Sequence, residues 1–297
     1  MPVQREEIRF SSDETFRLLK WTRSVDRVQV LRNGVARAIS GQGDRWHYHR
    51  AMELTLIQRG AGTRFVADHI ALFEAGDLVL IGSNVPHYWH QRGESAGLSL
   101  QWDFPLEHGV WSLGEIHTSL RTLAGKAQRG LYFRESTARA AAALMSELQS
   151  HSGLGRLALF FKLLDLLAST PPSHTRALAE RPFALDGTVE HQEAVQRAVS
   201  FILAHYREPI RLESLLALTG MSRATFARQF TRHAGKSFSV FLNQVRLQAV
   251  CRALRETAEP VSAIAFANGF NQLSFFNRLF HREFGVSPST MRARRID

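Results

Sequence analysis

Between Leu215 and Gly285 the chain carries the same pattern twice. Leu215-Leu216-Ala217-Leu218-Thr219-Gly220-Met221-Ser222-Arg223-Ala224-Thr225-Phe226-Ala227-Arg228-Gln229-Phe230 is followed by Ile264-Ala265-Phe266-Ala267-Asn268-Gly269-Phe270-Asn271-Gln272-Leu273-Ser274-Phe275-Phe276-Asn277-Arg278-Leu279-Phe280. A shift of 50 residues places Phe226, Arg228, Phe230, Arg232 and Gly235 on Phe276, Arg278, Phe280, Arg282 and Gly285. Each copy predicts a short helix, a glycine turn and a second helix. Phenylalanines four residues apart share one helical face, and arginines lie off it. Gly220 and Gly269 are 49 residues apart, so the second copy has one more residue between glycine and second helix. A duplicated unit at this spacing constrains the fold more than any single amphipathic run does. The phenylalanines predict core; the arginines predict either a binding face or a solvated one.

Charge follows the duplication. From His191 to Asp297 there are 15 Arg or Lys and 7 Asp or Glu, a net of +8; the 190 residues before carry 22 and 20, a net of +2. A confined basic excess predicts a polyanionic partner, nucleic acid first and an acidic protein second. The 297 residues are enough for two cores. Cys251 is the single cysteine, so no intrachain disulfide forms, and a reducing compartment, the cytoplasm, is expected. Pro2-Val3-Gln4-Arg5-Glu6-Glu7 lacks a leader's apolar run, and no stretch nears 18 apolar residues, which predicts no membrane partner.

From about Val28 to Phe104 the period changes. Glu53 to Ile57, Thr63 to Ala67, Asp77 to Ile81 and Leu98 to Trp102 read as strands, divided by Gly60, Gly62, Gly76, Gly82 and Gly93. Such short strands predict a closed or double-sheet β architecture, a jelly roll among them. His47-Tyr48-His49 alternates, so both imidazoles face one way; with Glu53 and His87 they make a donor set suited to zinc, iron, manganese or nickel. Gly41, His47, His49, Glu53 and Gly60 resemble the first cupin motif, and Gly76-Asp77 with Pro86-His87 resembles the second, with Gly82 for its usual proline and Asn84 for its usual glycine. The resemblance implies a cupin-like β-barrel with His47, His49, Glu53 and His87 as metal ligands. A metal-free polar lining for a small effector is the equal alternative, and no cofactor is then required. His47, His49, Glu53, Arg64, His87 and Trp89 are the expected effector contacts. Trp46, Tyr48, Tyr88, Trp89 and His90 would line a mouth suited to a sugar or related metabolite.

Trp111 to Arg129 fits either an extended or a short helical reading. Thr137 to Leu148 and Leu157 to Leu167 predict an apolar helical hairpin, packed on the sheet or against a second copy in a homodimer. Ser169-Thr170-Pro171-Pro172-Ser173 stops it, and the aperiodic stretch to Glu190 holds the linker. The domains expected are 1–180 (sensing, with the helical extension), 181–190 (linker) and 191–297 (all-α, with two helix-turn-helix units). A long helix from Phe238 to about Leu254 joins the two copies.

Ile264-Ala265, Gly269-Phe270, Phe276, Arg278, Phe280, Gly285 and Pro288 resemble the signature of the arabinose-operon-regulator (AraC/XylS-type) family of bacterial transcription factors. The likeness covers roughly Val195 to Arg294. It implies a seven-helix DNA-binding domain whose two recognition helices enter successive major-groove segments of promoter DNA. The first would begin near Ser222, with Ala224, Ala227 and Arg228 facing bases; the second near Asn271, with Gln272 at its start and Leu273, Ser274, Asn277 and Arg278 facing bases. Arg228 and Arg278 suit guanine, the alanines and Leu273 suit a thymine methyl, and Arg223, Arg232 and Arg282 suit phosphates. Leu216 stands where the family has a small residue, and Met291 where it has an aromatic. The function implied is a sequence-specific DNA-binding regulator answering to a small-molecule effector, with RNA polymerase as a further partner and no enzymatic turnover. The alternative is a metal-dependent cupin enzyme fused to a DNA-binding domain.

Overall fold

The computed structural model describes residues 6–11, 14–32, 34–41, 43, 45–91, 93–107, 109–183 and 189–293. Met1 to Arg5, whose lack of an apolar run was noted, and 184–188, half of the expected linker, lie outside them. The chain forms two compact units, one amino-terminal and one carboxy-terminal.

The amino-terminal unit contains β1 (Arg17–Trp21), β2 (Arg27–Arg32), β3 (Val35–Ser40), β4 (Met52–Arg59), β5 (Gly62–Val66), β6 (His69–Phe73), β7 (Leu78–Ile81), β8 (His87–Gln91), β9 (Ala96–Trp102), α1 (Gly114–Ala127), β10 (Leu131–Phe133), α2 (Glu135–Glu147), α3 (Gly153–Ser169) and β11 (Thr175–Ala177). Eight strands form one sheet in the order β11-β10-β7-β4-β9-β1-β2-β3, and β6-β5-β8 form another. The closed barrel, and with it the jelly roll, is therefore corrected. β3 and β11 are the two ends of the larger sheet, and no ladder among the described residues joins them to each other or to the smaller sheet. Between β8 and the segment before β4 the described residues form an isolated His47–His87 bridge and a Trp89 N–Gly43 O hydrogen bond but no ladder, so His47-Tyr48-His49 is not a regular strand.

Two-sided burial explains why the large sheet stays open. Leu54, Leu56, Leu98 and Leu100 point to one face, where Leu144, Met145, Phe160, Leu163 and Leu167 of α2 and α3 cover them. Ile57 and Val79, on the opposite face, pack with Val66 and Trp89 of the smaller sheet. Strands buried on both sides need a layer on each side, and the leucine-rich hairpin supplies one of them. That settles where the hairpin buries its apolar face. Trp111 to Arg129 resolves into a 3-10 turn, Gly109–Ser112, followed by α1. Part of the stretch read as aperiodic is sheet: β11 pairs with β10, and Leu178 and Ala179 are buried just beyond it.

The carboxy-terminal unit has seven helices among the described residues: α4 (Val189–His205), α5 (Leu212–Thr219), α6 (Arg223–Ala234), α7 (Phe238–Glu256), α8 (Val261–Ala267), α9 (Leu273–Phe284) and α10 (Pro288–Ala293). The duplicated phenylalanines are core. Phe226 and Phe230 lie 5.3 Å apart and Phe276 and Phe280 5.6 Å apart, ring to ring, and all four are buried. Phe230 meets Phe241 of α7 edge-on at 5.7 Å, while Leu247, Val250, Cys251 and Leu254 of α7 pack with the second copy. One long helix thus serves both cores. Cys251 Sγ lies 3.6 Å from Met291 Sδ, and burial pushes its thiol up to about 12, so it is inert packing. Leu216 is half-buried where its counterpart Ala265 is fully buried.

Candidate functional site

The duplicated turns set two outward helix faces. Gly220 ends α5 at φ 68°, and Ser222 caps α6 by accepting a hydrogen bond from the Thr225 amide at 3.3 Å. In the second copy Gly269 sits at φ 88°, and α9 begins at Leu273 with Gln272 at its cap position and no side-chain cap bond. Burying Phe226, Gln229, Phe230 and His233 turns Arg223, Ala224, Ala227, Arg228 and Arg232 to solvent. Burying Phe276, Leu279 and Phe280 turns Ser274, Asn277, Arg278 and Arg282 outward, with Leu273 half-buried and Ser222 and Gln272 exposed. Arg223 pairs with Glu213 at 3.0 Å on the surface. Phe275, 37% exposed beside Ser274, belongs to the same surface and was missed. The available signal was its place in the period: the core stripe runs Phe276, Leu279, Phe280, and Phe275 lies about 100° from Phe276, beyond the Leu279 edge of that stripe.

In the amino-terminal unit, His47, His49 and His87 come together, with one ring nitrogen of each within 4.8 Å of the others. Every Nδ1 lies 2.8 Å from a backbone carbonyl oxygen, that of Arg45, Ala51 or Val85 respectively. A carbonyl only accepts, so Nδ1 carries the proton and each Nε2 is turned inward. Glu53 Oε2 lies 3.2 Å from His49 Nε2 and 4.0 Å from His87 Nε2. Its carboxylate also accepts from Gln101 Nε2 at 2.8 Å and from Thr55 Oγ1 at 2.6 Å.

Burial and then the neighbouring His47 hold His87 well below the usual histidine range, and burial lowers His47 as well. Burial is the largest influence on His49 and would lower it, but the hydrogen bond and charge of Glu53, with Glu6 and the Ala51 carbonyl, together outweigh it and raise the pKa. Burial opposes the charge on Glu53, yet His49, His87 and Gln101 keep it well below the usual carboxylate range. The surroundings thus favour charge on Glu53 and His49 and disfavour it on His47 and His87. His87 Nε2 has no hydrogen-bond partner among the described residues despite complete burial. Inward Nε2 atoms, one of them orphaned, beside an anchored carboxylate form a donor set that fits a divalent metal, which would replace the proton on His49.

Two sequence departures have local explanations. Gly82 donates its amide to Ala127 O at 2.9 Å, a bond proline lacks, and a Cβ there would sit 2.8 Å from that carbonyl. Asn84 adopts φ 62°, a left-handed conformation asparagine tolerates, and its amide reaches His49 O at 2.8 Å.

Of the expected effector contacts His47, Glu53 and Trp89 line the cavity beside the cluster while His49 and His87 do not, and Arg17, Trp21 and Gln101 line it as well. Arg64 does not line it; it is 1% exposed and ion-paired with Asp77. Of the expected aromatic mouth only Trp89 takes part: Trp46 and Tyr88 pack on Phe65, Tyr48 is buried, and His90 is exposed and bonded to Tyr88. The period-2 alternation of Arg17, Leu19 and Trp21 was the signal for β1, upstream of where the strands were expected to begin.

A helix-turn-helix domain family model matches residues 215–294. The chain is 22% identical to the HTH-type transcriptional activator RhaS of Enterobacter sp. (strain 638) over 258 residues, 83% of this chain and 86% of that one. It is 31% identical to RhaS of Klebsiella pneumoniae (strain 342) over 150 residues, half of each chain. Residues 215–294 thus belong to a helix-turn-helix domain family, and the chain as a whole is similar to HTH-type transcriptional activators. A crystal structure of a probable AraC family transcriptional regulator from Rhodopseudomonas palustris CGA009 shares 36% identity over 34% of this chain and 96% of that chain, with a TM-score of 0.33.

Proposed function

We propose that the chain is an AraC/XylS-type transcriptional regulator that reads promoter DNA with the outward faces of α6 and α9, and that a small molecule held in the amino-terminal unit changes that reading. The carrying observation is the paired exposed face: Arg228 and Arg278 stand at matching positions on two helices whose opposite sides are locked by the same phenylalanine pairs. The α7 helix between them has 19 residues, hence a length of about 28 Å, close to the ~34 Å repeat of the DNA major groove. Arg228 and Arg278 donate to guanine O6 and N7, and Asn277 pairs with adenine. Ala224, Ala227 and Leu273 meet thymine methyls. Ser274 faces the bases beside Asn277, and Ser222, Arg223, Arg232, Gln272 and Arg282 hold the backbone.

His47, His49, His87 and Glu53 hold a divalent metal in this reading, which supplies a positive anchor for a polar group of the effector. The outward stripe of α3, with Leu154 84% exposed and Leu157 half-buried one turn on, faces a second copy in a homodimer. As the RhaS relatives are named activators, the regulator is proposed to raise transcription through contact with RNA polymerase. Effector binding acts by differential affinity for conformations that hold DNA more or less well.

Selection of duplexes from a random pool by the full chain is the test. Arg228→Ala and Arg278→Ala each relax selectivity at a guanine by about 1–3 kcal/mol. Arg232→Ala weakens all sequences alike and lowers the salt slope by about one. Unchanged affinity and selectivity in both Arg228→Ala and Arg278→Ala would mean the assigned face is wrong.

A further inference from the structure

We propose that the effector is a small organic anion whose charged group is held by Arg17, where the inner cavity opens into an arginine-lined cleft. This rests on the reading above that the amino-terminal unit binds a small molecule, and it adds the chemistry of that molecule.

Strand register places the groups. Arg17 of β1 pairs with Gln101 of β9, and Gln101 pairs with Glu53 of β4. Directly paired residues project on one side of a sheet, so Arg17, Gln101 and Glu53 form a row across three strands, with about 10 Å from first to last. Leu19, Ser99 and Thr55 form the next row, and Trp21, Gly97 and Ile57 the third. Gly97 has no side chain because the Trp21 indole takes its space: a Cβ there would lie 2.3 Å from the ring. Trp21 is fixed further by donating from Nε1 to Ser95 Oγ at 2.9 Å. The row thus joins an acid-and-histidine end to a guanidinium, beside a flat apolar wall.

The inner cavity has a volume of about 50 Å³, enough for a small group only. Arg17 and Ile39 line it and also line a second cleft of about 530 Å³, which places the two side by side. Arg9, Arg17, Arg32 and Arg37 line that cleft against a single carboxylate, Glu14. Arg9 is ion-paired with Glu7 at 2.6 Å, so the four guanidiniums meet two carboxylates, and the remaining positive excess in a concave surface concentrates anions at the opening. The charged group of the effector therefore belongs at this opening.

Arg17 is placed to receive it. One terminal nitrogen donates to the Arg9 carbonyl and lies 3.8 Å from Glu14 Oε2, while Nε is buried with no partner among the described residues. A buried guanidinium N–H without an acceptor is costly, and a carboxylate or phosphate oxygen satisfies it.

The test uses butanoate, butyl phosphate and butanamide, with binding to the full chain followed by ligand-observed NMR. At least one anion binds and the amide does not; whichever anion binds more tightly identifies the head group as carboxylate or phosphate. Arg17→Gln weakens that anion about tenfold, the loss expected for one charge-assisted hydrogen bond, and Arg17→Lys recovers part of it. Arg37→Gln, at an exposed position that does not affect folding, weakens it several-fold and keeps the proposal testable if Arg17→Gln misfolds. Arg228→Ala and Arg278→Ala leave anion binding unchanged while impairing DNA selection, which separates this proposal from the DNA reading. It is overturned if neither anion binds, if butanamide binds as tightly as the anions, or if Arg17→Gln and Arg37→Gln both bind like the unaltered chain.

Discussion

Gly269→Ala tests whether the second helix pair is held by close backbone approach rather than by turn conformation alone. Two costs add. At φ 88° an alanine occupies left-handed backbone, worth roughly 1–2 kcal/mol. A Cβ there would also lie 2.7 Å from Tyr206 O, 2.8 Å from Arg246 Nε and 2.9 Å from Arg207 O. Two of those atoms are backbone carbonyls and cannot swing aside. The third is already committed, since Arg246 Nε donates to Tyr206 O at 2.7 Å. Relieving the overlap costs about 1–3 kcal/mol more, for a total of roughly 2–5 kcal/mol. Gly220 is the internal control. Its φ is 68°, but a Cβ would meet nothing within 4 Å, so Gly220→Ala incurs only the conformational cost. All five tryptophans (Trp21, Trp46, Trp89, Trp102 and Trp111) lie in the amino-terminal unit, so their fluorescence reports that unit and not this change. Hydrogen exchange in α8 and α9 is the suitable assay. Exchange there speeds up far more in Gly269→Ala than exchange in α5 and α6 does in Gly220→Ala, and DNA binding falls with it. Equal effects of the two substitutions would refute the close-approach argument.

Two further outcomes are expected. Full chain reconstituted with zinc, iron, manganese or nickel and then desalted retains one metal per chain, measured by elemental analysis, and His49→Gln loses it while tryptophan fluorescence stays native; no retained metal after reconstitution removes the metal reading. His233 on α6 is buried, and burial, then Arg232, lowers its pKa to about 4. The unfolded chain takes up that proton near pH 6.5 and the folded chain near 4, so the contribution is complete above about 6.5 and is lost as pH falls toward 4. The full shift corresponds to about 3 kcal/mol, and partial solvent access reduces this to about 1–2. Hydrogen exchange in α6 should therefore accelerate, beyond the intrinsic pH effect, between about pH 7 and 5, and less so in His233→Gln; identical pH dependence in both would count against it.

Local pattern made the carboxy-terminal unit legible. Phe226, Phe230, Phe276 and Phe280 are core because residues four apart share a helical face, and no distant contact is needed to know it. The same arithmetic turned Arg228 and Arg278 outward, and Ser222 was recognisable as a cap from its place after Gly220-Met221. The strands of the amino-terminal unit were partly legible for the same reason: Glu53 to Ile57, Thr63 to Ala67 and Leu98 to Trp102 all fall in strands or at their edges. So was the meeting of the three histidines.

What sequence alone determined is thus what repeats within a few residues: helix faces, turn glycines, strand runs and the confined basic charge. Tertiary structure decided everything that depends on which strand lies beside which. Short strands with glycine turns satisfy an open sheet as well as a closed one, and only the strand order, with β3 and β11 as unjoined ends among the described residues, shows that this sheet is open. Arg17 reaches the row of Glu53 only through the β1–β9–β4 register, across more than 30 residues of intervening chain. Arg64, expected among the effector contacts, is instead buried where β5 turns it toward Asp77. Hydrogen bonds between strands are made by backbone groups that every residue carries, so the side-chain sequence encodes strand partners only weakly, and the shape of the cavity comes from the assembled sheets.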